Sequence, residues 1–132
     1  MKFVLIADDE PEIVDYIKST LRNRLGDEIK IMIATASDGS EAYKKIVKQA
    51  FDLIIADITM PRMTGVELVE MLKNDKLLDP RRFIILSGNV EGDMVESLVA
   101  NGVTNVLVKP VRNDILIKKA TEILQLPKIE ER

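Results

Sequence analysis

This sequence predicts an α/β fold: one domain, doubly wound, with a parallel sheet and helices on both faces. Strand-like apolar runs alternate with amphipathic helical stripes five times along 132 residues, with short connections. That alternation requires right-handed crossovers, and therefore parallel strands. The runs at 3–7, 53–56 and 83–86 contain no polar residue, the pattern of strands covered on both faces. No linker, repeat or low-complexity segment interrupts the chain, and a domain of this size buries about two thirds of its unfolded surface.

Taken in order, the first run ends at Asp8-Asp9-Glu10. Pro11 then fits the first turn of a helix, where its missing N–H costs nothing. Ile13, Ile17, Leu21 and Leu25 are spaced four apart and form one helical stripe over 12–25, which Gly26 can end. Ile29, Ile31 and Ile33 alternate with Lys30, Met32 and Ala34, a less apolar second strand suited to a sheet edge. Asp38 with Glu41 makes a capping-box start for a helix carrying Ala42, Ile46 and Val47. After the third strand, Thr64 with Glu67 repeats the device before Val66, Val69 and Leu72. Asp79-Pro80 marks a turn, and the fourth strand stops at Ser87-Gly88. Met94, Val95, Leu98 and Val99 define a helix over 93–101 that Gly102 closes. Val106-Leu107-Val108 is the fifth strand, followed by Lys109-Pro110 and a helix over 113–125. Residues 126–132 are expected to fray.

Composition removes several chemistries. The chain has no cysteine, which excludes disulfides, thiolate nucleophiles and zinc–thiolate sites, and no histidine, the commonest general base. A net charge of −3 leaves no basic footprint for nucleic acid. The apolar stretches fall far short of the ~20 residues that span a bilayer. The run after Met1-Lys2 meets Asp8 before a signal-peptide core is complete. A cytoplasmic domain that touches neither nucleic acid nor membrane is expected. Met60 and Met63 read as packing residues, and Lys44, Lys45, Lys48, Lys118 and Lys119 as solvated helix faces.

Charge falls where apolar strands stop: Asp8-Asp9 after the first, Asp57 after the third, Lys109 after the fifth. Open α/β folds collect ligands at those ends. Each residue has an ordinary reading alone. Acids favour helix N-termini, Asp57 can cap a turn, Ser87-Gly88 is turn chemistry, and most lysines are exposed. Those ordinary readings would all have to coincide on one edge of one sheet.

Together, Asp8-Asp9, Asp57, Ser87 and Lys109-Pro110 resemble the receiver domain of two-component response regulators, over essentially the whole chain. The segment from Asp57-Ile58-Thr59-Met60-Pro61 to Gly65-Val66-Glu67-Leu68 is similar to the family's phosphoacceptor segment. The resemblance implies a flavodoxin-like (βα)5 domain over 1–125 with strand order 2-1-3-4-5. It implies that Asp57 accepts a phosphoryl group from a small phosphodonor or from a phosphohistidine. The latter would belong to a histidine kinase or histidine phosphotransfer protein, since this chain has no histidine.

Magnesium is the implied cofactor. Asp8, Asp9 and Asp57 brought together would repel one another unless a cation intervened, and all-oxygen ligation suits that ion. By resemblance Asp9 and Asp57 ligate it directly, Thr59 offers its backbone carbonyl, and Asp8 helps through water. Lys109 would place a compact positive charge on one phosphoryl oxygen, and Ser87 would hydrogen-bond another. Lys109-Pro110 is commonly a cis bond in this family.

The family usually carries an aromatic residue three positions before the lysine, where this chain has Val106. Valine has one stiff torsion and no ring, so the signal is expected to travel through Ser87, the Gly88-Asn89 loop and the helix after it. Thr59 and Asn89 occupy positions that flank the phosphoryl group and tune its lifetime. The family's output face comprises the fourth helix, fifth strand and fifth helix, which makes Val90, Met94, Ser97, Val106 and Arg112 contact candidates for a downstream protein. Pro11, Ile13 and Pro110 are candidates for meeting the phosphodonor. Output through protein contact is expected, because nothing after Gln125 can form an output domain. The chain can equally be a receiver taken from a larger regulator or hybrid kinase. A non-enzyme is expected: aspartyl-phosphate phosphatases of similar architecture place a second acid two residues after the nucleophile, where this chain has Thr59. A flavin binder is disfavoured by acids where its phosphate loop would lie.

Overall fold

The computed structural model describes residues 1–88 and 92–127. Strands β1 (Lys2–Ala7), β2 (Ile31–Ala36), β3 (Leu53–Asp57), β4 (Phe83–Ser87) and β5 (Val106–Val108) alternate with five helices. These are α1 (Pro11–Leu25), α2 (Gly39–Lys48), α3 (Gly65–Asn74), α4 (Gly92–Ala100) and α5 (Asn113–Leu124). Every pairing is parallel and the order is β2-β1-β3-β4-β5, as expected.

Side chains alternate along the strands and so feed two cores. Leu5, Ile54, Ala56, Phe83 and Ile85 pack with Ala42 and Ile46 of α2, Leu68 and Leu72 of α3, and Leu98 of α4. Val4, Ile6, Leu53, Ile55 and Ile84 face the other way, onto Ile17 and Leu21 of α1 and Leu116 and Ala120 of α5. Full burial of each aliphatic side chain contributes about 1.5–3 kcal/mol. Residues of β3 and β4 are buried without exception, whereas β2, at the edge, is mostly half-buried.

Element ends show where local chemistry prevails. Thr64 and Glu67 form a full capping box, each side chain accepting the other's amide at 3.1 and 3.0 Å. Asp38 accepts the Glu41 amide at 2.8 Å, but the Glu41 carboxylate reaches back to the Ser37 amide, one residue earlier than a box requires. Gly26 does follow the last residue of α1, yet in a right-handed conformation with φ −60. The left-handed freedom of glycine is used instead at Gly102, with φ +87. β2 starts at Ile31 and not at Ile29, because the Ile29 amide is bound to the Leu25 carbonyl at 2.8 Å in the turn after α1. Val47 and Val99 lie on their expected stripes but are exposed. Lys45 is no free surface charge: it donates to the Thr35 carbonyl and pairs with Glu41 at 3.2 Å.

At the N-terminal end of the sheet, Arg82 is buried. It donates to Asp79 at 3.2 Å, to the Asp52 carbonyl at 3.3 Å and to the Pro127 carbonyl. Lys2 holds the Leu126 carbonyl at 3.3 Å. The rest of the segment expected to fray, 128–132, lies outside the described residues.

Candidate functional site

The opposite, C-terminal end of the sheet gathers the sequence-predicted residues. Ala7 pairs with Ala56, and Asp57 with Leu86, so Asp8 and Asp57 emerge side by side. Backbone bonds beyond the ladder extend the alignment: the Asp8 amide to Ala36 at 3.0 Å, Ile58 to Leu86 at 2.9 Å, and Lys109 to Ser87 at 2.8 Å. The Lys109-Pro110 bond is cis.

The Lys109 ammonium reaches Asp57 Oδ2 at 3.1 Å, Glu10 Oε1 at 3.1 Å and Asp8 Oδ2 at 3.2 Å. Asp8 and Asp57 are buried, whereas Asp9 and Glu10 are exposed. These four acids each offer a carboxylate oxygen within 4.8 Å of the others. Asp57 Oδ1 accepts the Thr59 amide at 3.3 Å, and Asp8 Oδ1 the Glu10 amide at 2.9 Å. Ser87 Oγ donates to the Gly88 carbonyl at 2.8 Å.

The electrostatics follow from burial and crowding. Burial first, then the charge of Asp8, raises the Asp57 carboxyl above the ordinary carboxylate range, against the pull of Lys109 and the Thr59 amide. Burial likewise raises Asp8. For Lys109 burial acts downward, but hydrogen bonds to Glu10 and Asp57 and the charges of Asp57 and Asp8 outweigh it, so the ammonium sits above its usual range. The Lys109 ammonium pairs with three acids, and Asp9 adds a fourth carboxylate to the cluster. Asp8 Oδ2 has the Lys109 nitrogen at ion-pair distance, yet no hydrogen bond is aligned on it. A buried, orphaned carboxylate oxygen among surplus negative charge is an environment that a hard divalent cation relieves. The all-oxygen donor set therefore fits magnesium.

Of the remaining candidates, Thr59 is exposed, and Val106 is half-buried against the core on the α2, α3 and α4 side. Ile13 and Pro110 line a hollow of about 640 Å³ beside Lys109, with Glu10, Glu12, Tyr16 and Val111. Pro11 lines a neighbouring one next to Asp8 and Asp9. Ser97 turns toward α3, with its hydroxyl 3.5 Å from Glu70. Arg112 pairs with Asp114 at 2.9 Å, and Met94 packs on the core. Asn89 and Val90 lie outside the described residues.

Sequence reasoning placed Glu10 with the acids after the first strand but did not pair it with Lys109. It also missed the dock between the segment after β3 and the start of α2. There Arg62, with φ +67, pairs with buried Asp38 at 2.7 Å. A Cβ on Gly39 would lie 1.9 Å from the Met63 carbonyl oxygen. The one local signal was Gly39 directly after a capping aspartate.

The family model described as "Response regulator receiver domain" matches residues 4–121. The chain is 29% identical over 128 residues to hybrid signal transduction histidine kinase D of Dictyostelium discoideum, covering 97% of this chain and 8% of that protein. It is 29% identical over 122 residues to chemotaxis protein CheY of Pseudomonas aeruginosa, covering 92% of this chain and 95% of that one. Among solved structures, the receiver domain of the Francisella response regulator 1452 superposes with a TM-score of 0.80 at 28% identity, over 95% of this chain and 98% of that one.

Proposed function

Because this chain belongs to the response regulator receiver family of two-component and phosphorelay signalling, we propose that Asp57 is its phosphoacceptor. A carboxylate oxygen of Asp57 attacks phosphorus in line; the donor's P–N or P–O bond breaks, and the leaving group departs with the electron pair. The product is an acyl phosphate. Lys109 places its ammonium where negative charge builds on the transferring group. Ser87 turns from the Gly88 carbonyl to hydrogen-bond another phosphoryl oxygen. Asp9, Asp57 and the Thr59 carbonyl would hold Mg2+, with Asp8 acting through water. When bound, that ion neutralises phosphoryl charge.

The observation that carries this reading is the contact at 3.1 Å between the Lys109 ammonium and a buried aspartate at the mouth of the sheet. The receiver unit is taken as 1–125, acting in the cytoplasm. Its donor is a histidine kinase or histidine phosphotransfer protein meeting Pro11, Ile13 and Pro110. Its output goes to a protein on the α4, β5 and α5 face. With no ring at Val106, the change runs through Ser87 and the segment leading into α4.

Incubation with Mg2+ and acetyl phosphate, read by intact mass, tests the assignment. The wild type should gain one phosphoryl group and Asp57→Asn none; labelling of Asp57→Asn at the wild-type rate would refute it. Many rapid turnovers on excess phosphoester would favour a phosphatase instead.

A further inference from the structure

We propose that Glu10 is a positioning residue that holds the Lys109 ammonium at the mouth of the pocket and competes for it with the arriving phosphoryl group. The inference rests on the reading of Asp57 as phosphoacceptor. An ammonium has three N–H donors, and Lys109 has three carboxylate oxygens at 3.1–3.2 Å, one each from Asp8, Glu10 and Asp57. Two of its donors are hydrogen-bonded at rest, to Glu10 and Asp57, and Asp8 Oδ2 stands at ion-pair distance from the same nitrogen. A phosphoryl oxygen that draws the ammonium to itself competes with these acceptors.

The three acceptors are not equal. Asp8 and Asp57 are buried, and each is fixed through its second oxygen by a backbone amide. The Glu10 side chain is 55% exposed, gives α1 no cap, and has Lys109 as its one polar contact among the described residues. An exposed ion pair is weak, so Glu10 is the acceptor that lets go. It also lines the hollow from which a donor reaches Lys109, and its charge there repels an anionic phosphodonor. Glu10 neither gains nor loses a proton in the transfer. It sets how readily Lys109 becomes available.

Wild type, E10Q, E10D and D57N are compared with Mg2+ and acetyl phosphate by intact mass, and by titration with beryllofluoride. Removing a contact worth an exposed ion pair should speed E10Q labelling about two- to fivefold. The beryllofluoride midpoint should fall by a similar factor, and the advantage should shrink in high salt. E10D keeps the charge but is one methylene short, and should fall between the two. The Lys109 Nζ resonance of the metal-free protein, a readout independent of turnover, should shift in E10Q. Equal or slower labelling of E10Q, or an unmoved resonance, with D57N silent, overturns the role of Glu10 alone. An unlabelled wild type, or labelled D57N, overturns the Asp57 reading and this proposal with it.

Discussion

Replacing Gly39 by alanine isolates the dock between α2 and the segment that follows Asp57. A Cβ at this position would meet the Met63 carbonyl oxygen at 1.9 Å and the Met63 carbonyl carbon and Cβ at 2.7 Å. Carbon and oxygen do not approach within 3.0 Å, so the two backbones must separate by at least the difference, 3.0 − 1.9 = 1.1 Å. The segment is poorly free to retreat. The Gly65 amide holds the Ile58 carbonyl at 2.8 Å, Met63 holds Pro61 at 2.7 Å, and Arg62 holds buried Asp38 at 2.7 Å. Overpacking of this kind costs about 1–3 kcal/mol. The alanine gains at most about 1 kcal/mol from helix propensity, and less at a helix's first residue. Net destabilisation of about 1–2 kcal/mol should lower the urea midpoint by roughly 0.5–1 M at a slope of about 2 kcal/mol per M. Urea unfolding followed by circular dichroism reads the shift. Because Met63 lies on the segment that also carries Thr59, labelling by acetyl phosphate should slow as well. A midpoint equal to or above the wild type would refute the close approach and the coupling drawn from it.

Two further perturbations test the electrostatics. Lys109→Ala leaves Asp8 and Asp57 buried without their cation, so the metal-free protein should lose about 1–3 kcal/mol, less than the ~3–5 of a fully buried pair. Mg2+ should restore part of the loss while labelling stays slow; unchanged metal-free unfolding would contradict the arrangement. Folding raises the Asp57 and Asp8 carboxyls, so the folded protein keeps protons that the unfolded chain sheds near pH ~4. Their contribution to metal-free stability therefore declines as pH rises from there through the raised values. Asp57→Asn, measured by thermal unfolding in chelator, should gain on the wild type across that window, and a gap that narrows with rising pH would refute it.

Much of this molecule can be read from the chain. Residues 53–56 and 83–86 carry no polar residue because both faces of β3 and β4 are covered, and that requirement writes itself directly into sequence. Asp8, Asp57, Ser87 and Lys109 stand out because each ends such a run, and parallel register brings those ends together. Ile29 misled because its apolar character serves the core under α1 while its amide closes a turn. The Glu10–Lys109 contact spans 99 residues and leaves no local trace, since an acid at a helix start has reason enough to be there. Gly39 meets Met63 through tertiary approach alone. Asp52 accepts the Phe3 amide at 2.8 Å beside buried Arg82, a contact across 49 residues that nothing local announces.

β5 is three residues long and half-exposed, joined to the sheet on one side only, where Val106, Leu107 and Val108 pair with β4. The opposing Asp57 is rooted in a strand gripped from both flanks and both faces. Tension between the two ends of the Lys109–Asp57 contact therefore divides unevenly: the anvil stays put, and the displacement is delivered to the slender outer rail.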